Sequence, residues 1–290
     1  MGVAVAESWR FELSVDELRA VCELVPELVL PSGYTVSDLS SSPVDPDDDA
    51  ALAAGCASLK RRGLVSRQAD GDQEGVAPAL LFALSLHAVA ERAIRIFAWS
   101  PADESRELIS INRGACAGLR RVQVRGSGDP ETRIVVTFMY LGELTKHLLE
   151  LVADNSPGMN APLKSTTIGL VDSRALVEAV RAGDQEFLAS LGSRIGAGDD
   201  VDLMSGLTRQ MDAGFHLELL DKEAHCLYMG DWFRGDDGWI SMTVIPGQFP
   251  VSGQSLAESG RMRLAKVSRS LIRADLLELV AGLRRTRDVA

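Results

Sequence analysis

The chain has 290 residues, 46% of them hydrophobic and only 5% aromatic, with a formal net charge of −11. That length and apolar share suit two ordinary cores or one large one, filled mainly by Leu, Val and Ala. The acidic balance disfavours a general nucleic-acid binder, and no apolar run approaches the roughly 18 residues of a membrane helix.

The start, MGVAVAESWRFELS, has neither the basic nor the apolar region of a signal peptide. Ala6 stands where myristoylation after Gly2 needs Ser or Thr. Four scattered cysteines (Cys22, Cys56, Cys116, Cys226) with no CxxC predict reduced thiols in a cytoplasmic protein.

In chain order, Ser14 and Glu17 form a capping box that opens a helix with Leu18, Val21, Cys22 and Val25 as its apolar stripe, closed by Pro26 and Pro31. A Ser/Pro/Asp loop (37–49) leads to a second helix through Leu59, with Lys60, Arg61 and Arg62 at its end and Gly63 as its stop. A polar turn spans Gln68 to Gly75, and an apolar helix runs from Pro78 to Ala90. The period then changes to two. Ile94, Ile96 and Ala98 alternate with Arg95, Phe97 and Trp99, which predicts a strand. Strands follow at 107–112, 118–124 and 133–140, then a helix over 141–153.

The polar, Pro- and Gly-bearing NSPGMNAPLK marks a linker (154–164) between halves at about 9–153 and 163–285. Beyond it, helical segments to Met211 are expected. Strands are predicted at 215–220, 225–230 and 238–245, a loop over 246–260, a strand over 262–267 and a helix over 270–284. A shift of 128 residues aligns 133–153 with 261–281 without a gap, and LLELVA is identical in both. Together with the matched strand-to-helix order this points to an internal repeat. The predicted fold class is α+β: two related halves with antiparallel sheets and flanking helical bundles.

Few residues converge on chemistry. His216 and Glu218 share one strand face, and only one of His225 and Cys226, which face opposite sides, could join them as a metal donor. Asp70, Asp72, Glu74 and Gly75 imitate the start of a calcium loop, but Leu81 and Pro78 occupy its twelfth and ninth positions. No cysteine lies in a nucleophile motif, and Ser58 and Ser110 lack the glycines of an elbow. Gly126–Gly128 and Gly196–Gly198 carry neither a P-loop nor a dinucleotide fingerprint. No cofactor, no metal and no catalytic residue is assigned, so an enzyme is not expected. AALAAGCASLKRRGLV has the form of a winged-helix recognition helix, with Lys60, Arg61, Arg62 and Arg67 available for phosphates; DNA binding is the alternative function. Aromatics near loops and on a sheet face suit a protein contact, so Phe97, Trp99, Trp232 and Phe233 are candidate anchors, with Arg95 and Arg234 at the rim.

Four segments in order, WRFELSVDELRAVCELV, ASLKRRGLV, NSPGMNAPLKSTTIGL and DGWISMTVIP, together resemble the EspG family, the cytosolic chaperones of type VII (ESX) secretion in actinobacteria. WRFELSVDELRAVCELV is similar to its first strand and helix, and ASLKRRGLV to its L-x-x-RGL element. NSPGMNAPLKSTTIGL is similar to its crossover, and DGWISMTVIP to its DGW-x-x-V-x-P close. Where members carry an arginine-containing GR segment this chain has AHCLYMGDWFRGDD, with Arg234 nearest that place. The resemblance implies a chaperone that binds a secreted PE–PPE-type helical heterodimer and masks its hydrophobic tip. It implies no nucleic acid and no membrane insertion, and leaves a homodimer open.

Overall fold

The computed structural model describes residues 8–35, 38, 49–67, 74–124, 131–152, 165–194, 211–235, 238–245 and 260–285. The chain forms two compact units, one of Met1–Ala93 with Ala102–Leu144, the other of Ile94–Pro101 with Thr145–Ala290. The linker predicted at 154–164 lies outside the described residues. So do the turn glycines 126, 128, 196 and 198, and the acidic residues 70 and 72 of the calcium-like segment.

In the first unit β1 (Trp9–Leu13) leads into α1 (Val15–Leu24). The capping box forms as its residues dictate: the Ser14 hydroxyl accepts from the Glu17 N–H at 3.1 Å, and the Glu17 carboxylate accepts from the Ser14 N–H at 3.0 Å. Against α1 lies α2 (Asp49–Arg61). A Cβ at Gly55 would run into the Asp16 carbonyl, so only glycine permits this approach. A small hairpin, β2 (Val65–Arg67) with β3 (Glu74–Val76), overlaps the segment that the sequence predicts as a turn. Helix α3 (Pro78–Ser85) passes into a 3-10 turn, Leu86–Val89, in place of one helix to Ala90. The sheet strands are β5 (Asp103–Asn112), β6 (Ala115–Val124) and β7 (Glu131–Tyr140), in the order β1-β7-β6-β5 and antiparallel in each pair. Leu13, Leu18, Val21, Leu59, Leu80 and Leu84 pack on Leu119, Ile134, Val136 and Phe138 as one core.

Helix α4 (Leu141–Leu149) closes the first half, and β8 (Ser165–Gly169) opens the second. That strand replaces the start of an expected helix; Thr166 and Thr167 are β-branched and pair well along Leu264 and Arg263. Helices α5 (Leu170–Ala182) and α6 (Gln185–Arg194) form a hairpin. Gly183, at φ 68, ends α5 in the left-handed conformation, and the Asp184 carboxylate accepts from the Phe187 N–H at 2.9 Å to start α6. The sheet of this unit runs β4 (Arg92–Trp99), β9 (Met211–Asp221), β10 (Cys226–Gly235), β11 (Gly238–Val244), β12 (Arg261–Val267), β8. Leu176, Val180, Leu188 and Leu191 of the helical hairpin cover Phe233, Met242 and Leu264. Helix α7 (Arg269–Arg285) ends the described chain.

The fold is therefore α+β, as the periodicities predict, and the two units share a strand order: β1-β7-β6-β5 in one, β8-β12-β11-β10 in the other. In each, the opening strand pairs with the last strand, which feeds a closing helix. The 128-residue shift superimposes Leu144, Leu148 and Val152 on Ile272, Leu276 and Val280, and all six are at most 2% exposed.

Candidate docking surface

Strand β4 places Arg95, Phe97 and Trp99 on one side, while Ile94 and Ile96 turn to the other and are buried. Phe97 and Trp99 are half-buried and stack with centroids 5.8 Å apart. Above them the Arg181 guanidinium, from the last turn of α5, lies 4.3 Å from the Phe97 ring centroid and 5.1 Å from that of Trp99. This is a cation–π contact, worth about 0.5–2 kcal/mol depending on exposure. Trp99 reaches inward to Phe233 at 5.8 Å. The aromatic pair is thus a ledge that runs from the core of this unit to its surface.

Gly214 makes room for it. A Cβ there would overlap the Trp99 ring and come within 2.6 Å of the Trp232 carbonyl. Gly214→Ala is therefore expected to lower stability by about 1–3 kcal/mol, the usual cost of overpacking. Denaturant unfolding of the single variant and of Gly214→Ala with Trp99→Leu measures it; the second change relieves part of the loss, because one of the two clashes goes with the ring.

Trp232 and Phe233 are not at a hairpin tip. Strand β10 continues to Gly235, five residues beyond its expected end, and carries both into the interior, where each is 0% exposed. They alternate on the strand, yet both faces are covered. Trp232 stacks on Phe215 at 4.6 Å, its direct cross-strand partner, and Phe233 joins the core beneath the helical hairpin. Neither offers a surface to a partner. Arg234 makes a two-pronged pair with Asp212, at 2.9 and 3.0 Å, and Arg95 stands 60% exposed, 3.7 Å from Glu218.

His216 and Glu218 do share a face, but as a salt-bridged cluster. His216 Nδ1 lies 2.8 Å from Asp231 and its Nε2 3.3 Å from Glu218. Burial by itself lowers the imidazole pKa, but hydrogen bonds and charge from both carboxylates outweigh it and raise it to about 9. Held as an imidazolium between two carboxylates, the ring would have to give up a proton and an ion pair before it could ligate a metal. His225 is not brought to it; it is exposed in the turn with Asp221, 3.1 Å away, and Glu223 is nearby. Cys226 donates to the Tyr228 carbonyl at 3.3 Å, and burial, with Glu218 close by, pushes its thiol up to about 11.

Other reactive pairs are closed off. Ser110 does meet a histidine, His87 Nδ1 at 2.7 Å, but Ser110 is 2% exposed and burial lowers His87 to about 4. The hairpin that a DNA-binding wing requires is present as β2 and β3. The cations beside it are engaged, however: Arg62 holds Glu17 at 2.7 Å and the Glu12 carbonyl at 2.6 Å, Lys60 holds Glu74, and Arg61 holds Ser58.

One exposed aromatic group escapes the sequence pattern. In the first unit Phe82, 51% exposed, and Tyr140, 41% exposed, meet Phe138 edge-on at 5.4 Å, while Trp9 stacks on it at 5.0 Å. These residues come from α3, β7 and β1, so no local pattern announces them.

Among the described helices none is long and apolar enough to cross a membrane. No protein-family profile matches the chain, and no curated protein matches it. Among solved structures it superposes on the type VII secretion system chaperone EspG5 of Mycobacterium tuberculosis, solved in complex with a PE25–PPE41 dimer, at TM-score 0.59 and 12% identity, over 92% of this chain and 94% of that one. A 12:0-ACP thioesterase from Umbellularia californica (8% identity, 92% and 98% covered) and HtdX from Mycobacterium tuberculosis (12% identity, 90% and 99% covered) superpose poorly, at TM-scores 0.20 and 0.18. Over nearly its whole length, this chain has the fold of an EspG-type chaperone.

Proposed function

We propose that this protein is a cytoplasmic, non-catalytic chaperone that binds a PE–PPE-type helical heterodimer and masks its hydrophobic tip, keeping it soluble for type VII secretion. One observation carries this: the end-to-end superposition on EspG5, which was solved holding a PE25–PPE41 dimer. The physical task is solubility. Exposed apolar side chains at a helical tip aggregate, and a ledge of aromatic rings can bury them. DNA binding has less support, since Arg62, Lys60 and Arg61 are held by partners within the chain. The shared strand order and matched buried positions support descent of both halves from one duplicated ancestor.

Co-expression with each secreted helical pair encoded beside this gene tests the proposal by size exclusion. A stoichiometric complex with one of them is expected, and none with any would sink the idea. Within that complex Phe97→Ala and Trp99→Ala are each expected to weaken binding about 30-fold, or ~2 kcal/mol, as central anchors do. Arg234→Ala is expected to change it less than three-fold, because its carboxylate partner Asp212 lies in the same chain. Calorimetry on the purified variants measures both.

A further inference from the structure

Three arginines surround the place where the aromatic ledge meets solvent. Arg95 is 60% exposed beside it on β4. Arg174 and Arg181 stand two turns apart on one stripe of α5, Arg181 over the rings themselves. Glu218 is held ionised first by its hydrogen bond to His216, against the cost of burial, and further by Arg95 and Arg174. Its charge is therefore shared with the His216 imidazolium behind it. Asp231 is 4% exposed and also faces His216. Among the described residues, what faces water here is three guanidiniums against the half-buried Glu218 and the exposed Glu178, which pairs with Arg181 at 3.3 Å. In a chain of net charge −11 this is a local reversal of sign.

We propose that Phe97, Trp99, Arg95, Arg174 and Arg181 form a docking surface for an amphipathic helical segment whose apolar side chains are flanked by carboxylates. The rings take the apolar side chains, and the guanidiniums take the carboxylates through charge-assisted, forked hydrogen bonds. Arg181 has a second part. Its guanidinium covers the rings in the free chain, and on docking it turns from the ring faces to a partner carboxylate, so an apolar side chain fills the space it leaves. This deepens the chaperone proposal by naming the chemistry of the segment received, and it rests on that proposal only for whose segment it is.

The test uses two synthetic amphipathic helical peptides with the same Leu and Phe face, one flanked by Glu and its twin by Lys. Calorimetry with the full chain at low salt is expected to show the Glu peptide binding at least about ten-fold tighter than the twin, against the chain's overall charge. The preference should shrink as salt is raised. Arg174→Glu with Arg181→Glu should reverse it; losing the Arg181 ring contact lowers the melting point modestly, and an unchanged far-UV circular dichroism spectrum shows that the fold is kept. Equal binding of the twins, binding of neither, or a preference untouched by the double reversal would overturn the proposal. A Glu-peptide preference in a chain that forms no complex with any helical pair would instead count against the chaperone function alone; a complex without the preference would count against this surface alone.

Discussion

Trp232→Ala is expected to lower the unfolding free energy by about 3–5 kcal/mol, the range for emptying a buried tryptophan site. Its indole is 0% exposed, stacked on Phe215 and 6.5 Å from the Tyr228 ring, and Phe215 in turn meets Trp239 edge-on at 5.9 Å. Removing it strips one layer from an aromatic stack on a strand hydrogen-bonded on both sides, where backbone collapse is hindered. Urea unfolding of the variant, followed by far-UV circular dichroism, reads the loss. Phe97→Ala, half-exposed, should lose less than half as much stability while losing more partner affinity. If Trp232→Ala instead kept full stability and abolished only binding, Trp232 would be a surface anchor after all and the placement of β10 would be wrong.

A second large effect is expected from pH. The His216 pKa of about 9 lies above the roughly 6.5 of an unfolded histidine. A group raised on folding contributes stability that is fully present below its unfolded value and is lost as pH climbs through its folded value. The chain should therefore lose on the order of 3 kcal/mol between pH 6.5 and pH 9, as Asp231 and Glu218 lose the imidazolium between them. His216→Gln should be less stable at pH 6.5, because it leaves two carboxylates facing each other, and its stability should be flatter across that window. Chemical unfolding of both proteins at intervals of pH gives the two slopes; parallel curves would show that His216 does not hold the cluster together.

Elements with strong local chemistry are legible in the sequence. Ser14 and Glu17 announce α1 by their spacing, and the alternation around Ile94 announces β4; LLELVA lies within α7, but of its first copy only Leu148 and Leu149 fall in α4, which ends short of the predicted 153. Elements whose state depends on a neighbour are not. β8 is a five-residue polar segment that becomes a strand only because β12 lies beside it. The sequence pattern ends β10 at Gly230, yet that glycine marks room for the Trp232 ring, not the end of pairing. With the strand ended there, Trp232 and Phe233 fall at a surface hairpin; with the strand continued, they fall in the core.

The site divides the same way. Sequence by itself determined the alternation that sets Arg95, Phe97 and Trp99 on one side of a strand, the facing of His216 with Glu218, and the resemblance to a chaperone fold, because each rests on residues near one another in the chain or on their linear order. Only the tertiary structure decided which aromatics remain at the surface, that Asp231 completes the cluster with His216, and that Arg181 caps the ledge. Burial and charge pairing are made by strands and helices brought together from distant positions, and neighbours in the sequence carry no record of them.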